Sequence, residues 1–227
     1  METESITAFV PVKGTSSRLP GKNWLPFGGT TLLQHKLRQL KRTRGLNRIL
    51  VSSESDLLLD LAREEGVDFL RRPADLADES RPVADFVRYA CDAVGTGSLL
   101  WACATSPTFG QKSLEQILSL YQGVLEDGYD SVITVMKFQH FLMDESAPLN
   151  FGRGIEHQNS QDLPRWSLFT NGATVAPVKS MTSWAERFGP NPYRFEVPLF
   201  ESIDIDTQED YELSLAIRAW ENGRQPS

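Results

Sequence analysis

Only two cysteines, Cys91 and Cys103, occur in the chain, and its three histidines, His35, His140 and His157, show no metal-ligand spacing. So few thiols exclude a disulfide scaffold and a cysteine zinc site, and they suit a reducing compartment, so a cytoplasmic location is expected. No apolar run reaches the roughly 18 residues that span a bilayer, which excludes a helical membrane anchor. The opening Met1-Glu2-Thr3-Glu4-Ser5 carries two acids and no basic residue, unlike a secretory signal. Positive charge is the minority sign, with 23 Lys and Arg against 30 Asp and Glu and a net charge of −7, so nucleic acid is not an expected partner. There is no G-x-S-x-G nucleophile motif and no zinc motif, which leaves hydrolase readings without support. What remains is 227 residues, 40% of them hydrophobic, enough for the core of one α/β domain and too apolar for a disordered chain.

Along the chain, short apolar runs alternate with helical periodicity. Strands are predicted at 7–12, 48–52, 67–70, 98–104 and 131–135. Helices are predicted over 31–42, 56–65 (stopped by Gly66), 83–94 and 112–126. This alternation predicts an α/β fold with a mostly parallel twisted sheet and helices on both faces. The pattern breaks over 137–166, a polar stretch with Pro148, Gly152, Gly154 and Pro164, which reads as a loop or a small excursion. Order returns at 168–177 and 193–197, and a last helix is predicted over 206–221. The basic stretch 36–44 reads as the wet face of a helix. The three histidines read as surface or structural.

Ligands of such sheets bind outside the carboxyl ends of the strands, where the loop 13–23 lies. It holds Lys13, Arg18 and Lys22 with Gly14, Gly21, Thr15, Ser16 and Ser17. Cations, hydroxyls and glycine-freed N–H groups make a phosphate cradle, although a solvated basic loop has the same composition. It is neither a Walker A loop nor a G-x-G-x-x-G fingerprint.

A second feature is Ser202-Ile203-Asp204-Ile205-Asp206-Thr207. In extended chain, Ile203 and Ile205 face the core, and Asp204 and Asp206 share the other side about 7 Å apart. Two carboxylates so placed suit Mg²⁺ shared with substrate phosphates. Asp206 can also be read as an N-cap with Glu209 three residues on. Arg72, in an Arg-Pro step, and Asn171-Gly172 read by themselves as surface and turn.

In order, these pieces resemble the acylneuraminate cytidylyltransferases and their octulosonate relatives. The matching segments are 11–23, 51–54, 70–76, Thr105-Ser106-Pro107, Asp130-Ser131-Val132, Gln161-Asp162-Leu163-Pro164, 170–173 and 202–210. The resemblance implies a nucleotide-diphospho-sugar transferase fold in a single domain, CTP and a small sugar acid as substrates, and a homodimer built partly by 137–166, which reaches into the partner's site. It implies that Lys13, Gly14, Ser16, Arg18, Lys22, Asn23 and Arg72 bind the nucleotide. Lys22, Asp204 and Asp206 would be catalytic, the two aspartates as the Mg²⁺ pair. Gln161, Arg165 and Asn171 would bind the acceptor.

Departures from the pattern gather near the acceptor. Cys103 stands where the family usually has Gln. Thr108-Phe109 and Phe169-Thr170 stand where Arg is common. Lys137 and Arg153 are the only cations of 137–160. A sugar acid other than ordinary N-acetylneuraminate is therefore expected, its carboxylate gripped by Arg165. Two other readings stay open from sequence: a nucleotidyltransferase of this fold with another nucleotide or an unusual acceptor, and a non-catalytic nucleotide-binding protein.

Overall fold

The computed structural model describes residues 5–78 and 80–224. Residues 1–4, on which most of the signal-peptide reading rests, lie outside that range. Strand β1 (Ile6–Pro11) leads into the loop 13–23. A two-residue hairpin, β2 (Pro26–Phe27) and β3 (Thr30–Thr31), turns on Gly28 and Gly29, both at positive φ. Thr31 then caps α1 (Leu32–Arg42) in a reciprocal box with Gln34. There follow β4 (Arg48–Ser53), α2 (Asp56–Glu64), β5 (Asp68–Arg71), α3 (Val83–Val94), β6 (Ser98–Trp101), α4 (Gln111–Glu126) and β7 (Ser131–Phe138). After the irregular excursion come β8 (Trp166–Pro177), α5 (Val178–Trp184), β9 (Pro192–Val197) and α6 (Gln208–Arg224).

The strands order as β5-β4-β1-β6-β8-β7-β9, and only β8 of the seven runs against its neighbours. The expected mostly parallel sheet is therefore observed. Strand residues alternate between two cores, as the period of two requires. Ala8, Val10 and Leu100 pack with Leu33 and Leu37 of α1, Leu58 of α2 and Ile117 of α4. Phe9, Leu99 and Trp101 pack with Val87 of α3 and Met181 of α5 on the other face.

Two expectations are corrected here. Lys36 and Gln39 do not belong to a wet face: both are buried, and the Lys36 ammonium donates to the Ser106 carbonyl at 2.9 Å. Asn171-Gly172 is not a hairpin turn but sits inside β8, where the β7–β8 register shifts. A Cβ on Gly172 would lie 2.8 Å from the Phe109 ring, so close packing rather than a turn requires glycine there. The sequence reading assigns no element to α5. Within the excursion, Phe141, Phe151 and His157 form an aromatic cluster, and Phe141, Met143, Leu149 and Ile155 are exposed.

Candidate active site

Loop 13–23 is built by specific contacts. The Gly14 N–H donates to Glu54 Oε1 at 2.8 Å, and a Cβ at Gly14 would meet Ser55 Cβ at 2.8 Å. Only glycine lets the loop approach β4's end this closely. Buried Asn23 donates its amide to the Lys13 carbonyl at 2.8 Å and so ties the loop's two ends together. Gly21, at φ 69°, starts the 3₁₀ turn Lys22–Trp24. Ser16 Oγ accepts the Leu19 N–H at 3.4 Å.

Arg72 is buried, contrary to the surface reading of its Arg-Pro step. It donates to the Val12 carbonyl at 2.9 Å, pairs with Glu54 and lies over the Phe86 ring. Burial alone would raise the Glu54 pKa, but the Arg72 hydrogen bond and the backbone N–H donors hold it below the usual value. Neighbouring Arg71 is exposed and pairs with Asp56.

Segment 202–206 is not a strand. Ile205 alone is fully buried, between Phe27 and Leu32, and its N–H donates to the Thr105 carbonyl at 2.8 Å. Asp206 receives Lys22 at 3.0 Å on one oxygen and Arg18 at 2.7 Å on the other. Lys22 also donates to the Ile205 carbonyl at 3.0 Å. Asp206 is not the helix cap. Thr207 Oγ1 accepts the Asp210 N–H, and the Asp210 carboxylate accepts the Thr207 N–H, a box shifted by one residue from the sequence reading. This leaves the Asp206 side chain to the site.

Asp204 Oδ2 accepts from Asn171 Nδ2 at 2.6 Å, while its Oδ1 is buried without a partner among the described residues. The β8 irregularity, where Thr134 bonds Thr170 and Ala173, aims Asn171 there. Arg187, between α5 and β9, donates from Nη1 to Asn171 Oδ1 at 3.2 Å and lies over the rings of Trp101 and Phe169.

The site opens as a cavity of about 230 Å³ whose walls include Lys13, Ser16, Arg18, Lys22, Arg72 and Cys103. A larger hollow of about 400 Å³ lies at the amino ends of β4 and β5, beside Arg48 and Asp68, and holds none of the matched residues. Burial first, and Asp204 second, push the Cys103 thiol up to about 11, so it lines the cavity as a neutral group. Behind it, burial pulls Lys36 down to about 8.

For a metal, the orphaned Asp204 oxygen is the fitting donor, with Asp206 beside it in sequence. No group of three or more His, Cys, Asp or Glu side chains able to hold an ion occurs among the described residues. A divalent ion here would therefore draw further oxygens from substrate, which suits Mg²⁺.

The acceptor residues separate. Asn171 joins Asp204. Gln161 and Arg165 are exposed on the excursion, where the Gln161 carbonyl accepts from Gln139. Arg165 precedes β8, and six residues of extended chain, about 20 Å, part it from Asn171. Phe109 is fully buried against Gly172 and does not face a ligand. Sequence reasoning missed Glu54, Lys36 and Arg187. Glu54 stood within a matched segment, whereas no periodicity or motif marks Arg187.

A family model described as "Cytidylyltransferase" matches residues 7–96, a stretch that contains both the loop 13–23 and Arg72. The chain is 24% identical over 225 residues to the N-acylneuraminate cytidylyltransferase of Escherichia coli, covering 96% of this chain and 53% of that protein. It thus spans about half the length of that relative. It is 22% identical to the 8-amino-3,8-dideoxy-manno-octulosonate cytidylyltransferase of Shewanella amazonensis, covering 97% and 88%. The solved structure of CMP:2-keto-3-deoxy-manno-octonic acid synthetase complexed with CTP shares the fold, with a TM-score of 0.68 at 18% identity over 96% of this chain and 99% of that one. The cation loop and the buried arginine both lie inside the stretch that matches the cytidylyltransferase model, and nearly the whole chain aligns to relatives described as cytidylyltransferases.

Proposed function

We propose that the protein transfers CMP from CTP to a 3-deoxy-2-ulosonic sugar acid and releases pyrophosphate. The observation that carries the reading is the convergence of Lys22 and Arg18 on Asp206 beside Asp204, at the carboxyl end of β1. Lys13, Arg18 and Lys22 neutralise the triphosphate, and Gly14, Ser16 and Asn23 shape the loop around it. Arg72, clamped by Glu54, borders the base end. The hydroxyl on the acceptor's anomeric carbon attacks the α-phosphorus in line. The new O–P bond forms as the bond to the β-phosphate oxygen breaks, pyrophosphate leaves, and the hydroxyl proton passes to solvent water. Asp204 and Asp206 would hold Mg²⁺ together with phosphate oxygens. When bound, the ion supplies charge neutralisation and makes the attacking hydroxyl more acidic.

Asp206 pairs with Lys22 and Arg18, the same cations that would meet the phosphates. Gln161 and Arg165, on the exposed excursion, would meet an acceptor only across a homodimer interface, which the apolar surface of Phe141, Met143 and Leu149 supports. No described helix is long and apolar enough to cross a membrane. The test is pyrophosphate release with CTP, ATP, GTP and UTP against a panel of sugar acids. Turnover with CTP and at least one 3-deoxy-2-ulosonic acid is expected, and its absence across the panel refutes the reading. CTP should also raise the melting temperature, and Lys22→Ala should shrink that shift.

A further inference from the structure

Resting on this reading, we infer that Arg187 is the receptor for the acceptor's carboxylate and sets the requirement for an acid. Compare the cations around the site. Arg18 and Lys22 are paired with Asp206, and Arg72 is paired with Glu54. Among the described residues the Arg187 guanidinium makes one hydrogen bond, to the neutral Asn171 amide, while its backbone N–H donates to Glu186. Its Nε is buried without a hydrogen-bond partner among the described residues, where the nearest carboxylate, Glu186, stands off at 3.8 Å and is itself half exposed. A guanidinium carries five donors in a fork that matches a carboxylate. Holding such a group over Trp101 and Phe169 with a buried donor unused is costly unless an anion completes it.

The position also fits the reaction. In a 2-ulosonic acid the anomeric carbon bears both the attacking hydroxyl and the carboxylate, so their receptors must be neighbours. One side-chain amide joins them here: Asn171 touches Arg187 at 3.2 Å and Asp204 at 2.6 Å. The Arg187 charge also falls on the Cys103 thiol, which lines the cavity. Arg165 has no such neighbour relation within the chain, being about 20 Å along the strand from Asn171. Phe169, an uncharged residue at this end of the site, serves as the surface that holds the cation in place.

The experiment compares one acceptor acid with its carboxamide. With the native protein, kcat/KM for the acid should exceed that for the amide by about 100-fold, the value of a charge-assisted pair. In Arg187→Ala the acid should lose most of that advantage and the ratio should fall toward one, with the CTP-induced melting shift unchanged. Arg187→Gln, which keeps a donor for Asn171 but no charge, should give the same collapse and guards against a folding defect in the alanine variant. Arg187→Lys should retain part of the discrimination. An acid-to-amide ratio unchanged in both uncharged variants would overturn the assignment while leaving the transferase reading intact. No turnover by the native protein with any sugar acid would instead overturn the reading on which the inference rests.

Discussion

Replacing Lys36 by methionine should change how stability depends on pH in the alkaline range. Lys36 lies wholly within the core, with one hydrogen bond to Ser106 and the Phe109 ring 5.9 Å from its ammonium. Burial lowers its pKa from 10.5 to about 8, with Cys103, Glu201 and Asp204 opposing the shift. For a lysine whose folded pKa is depressed, charge is penalised in the native state. Below pH 8 the penalty is fully present, and at pH 7 it amounts to about 3 kcal/mol. Above 10.5 neither state is charged and the penalty is gone. Stability withheld by Lys36 is therefore recovered as pH rises through that window, by about 1 kcal/mol between pH 7 and pH 9. Urea unfolding of native protein and Lys36→Met at several pH values, with EDTA present, isolates this contribution. Other titrating groups, including the raised Cys103 thiol, are common to both proteins. The native protein should gain about 1 kcal/mol on the variant from pH 7 to pH 9. A difference that stays flat, or falls, would show that Lys36 is not held as a penalised ammonium.

Asp204→Asn should lower turnover by about 100-fold or more while leaving the melting temperature near that of the native protein. Near-normal turnover in the folded variant would refute a metal role for Asp204. Thr207→Ala removes the cap of α6 and should cost about 1 kcal/mol in denaturant unfolding. An unchanged midpoint would mean that the Asp210 carboxylate caps the helix unaided. Light scattering should give a mass near twice the 25.5 kDa of one chain, and replacing Phe141 and Leu149 by serine should return it to one. A single-chain mass for the unaltered protein would remove the excursion from the interface.

Much of the sheet was legible because apolar runs such as Leu99-Leu100-Trp101 have few other ways to bury themselves, and because α1, α3 and α4 keep strict helical spacing. The helix over Val83–Val94 was placed to the residue. α5 was missed because its seven residues are too few for a period to emerge. Lys36 was misread for a related reason. Charge marks exposure on average, yet the spacing that put Leu33, Leu37 and Leu40 inward put Lys36 inward with them. The cation loop and the two aspartates could be found because each is compact in sequence. Glu54 and Arg187 could not, since their roles arise only when β4's end meets the loop and when the turn after α5 folds over β8.

The reversed strand β8 has a consequence for how the chain assembles. It alone separates β6 from β7, so a nascent chain that ends before Trp166 holds the four-stranded fragment β5-β4-β1-β6 and a lone β7 with no strand to join them. Each presents an open edge of unpaired backbone groups, a template for association with other chains. Joining them requires β6 and β8 to meet across the helix, strand and excursion between them, a non-local closure that slows folding. Residues of β8 near the β7 irregularity, Asn171 among them, take their places only at that step. The insertion of β8 that joins β6 to β7 is therefore also the step that sets Asn171 where Asp204 and Arg187 meet it.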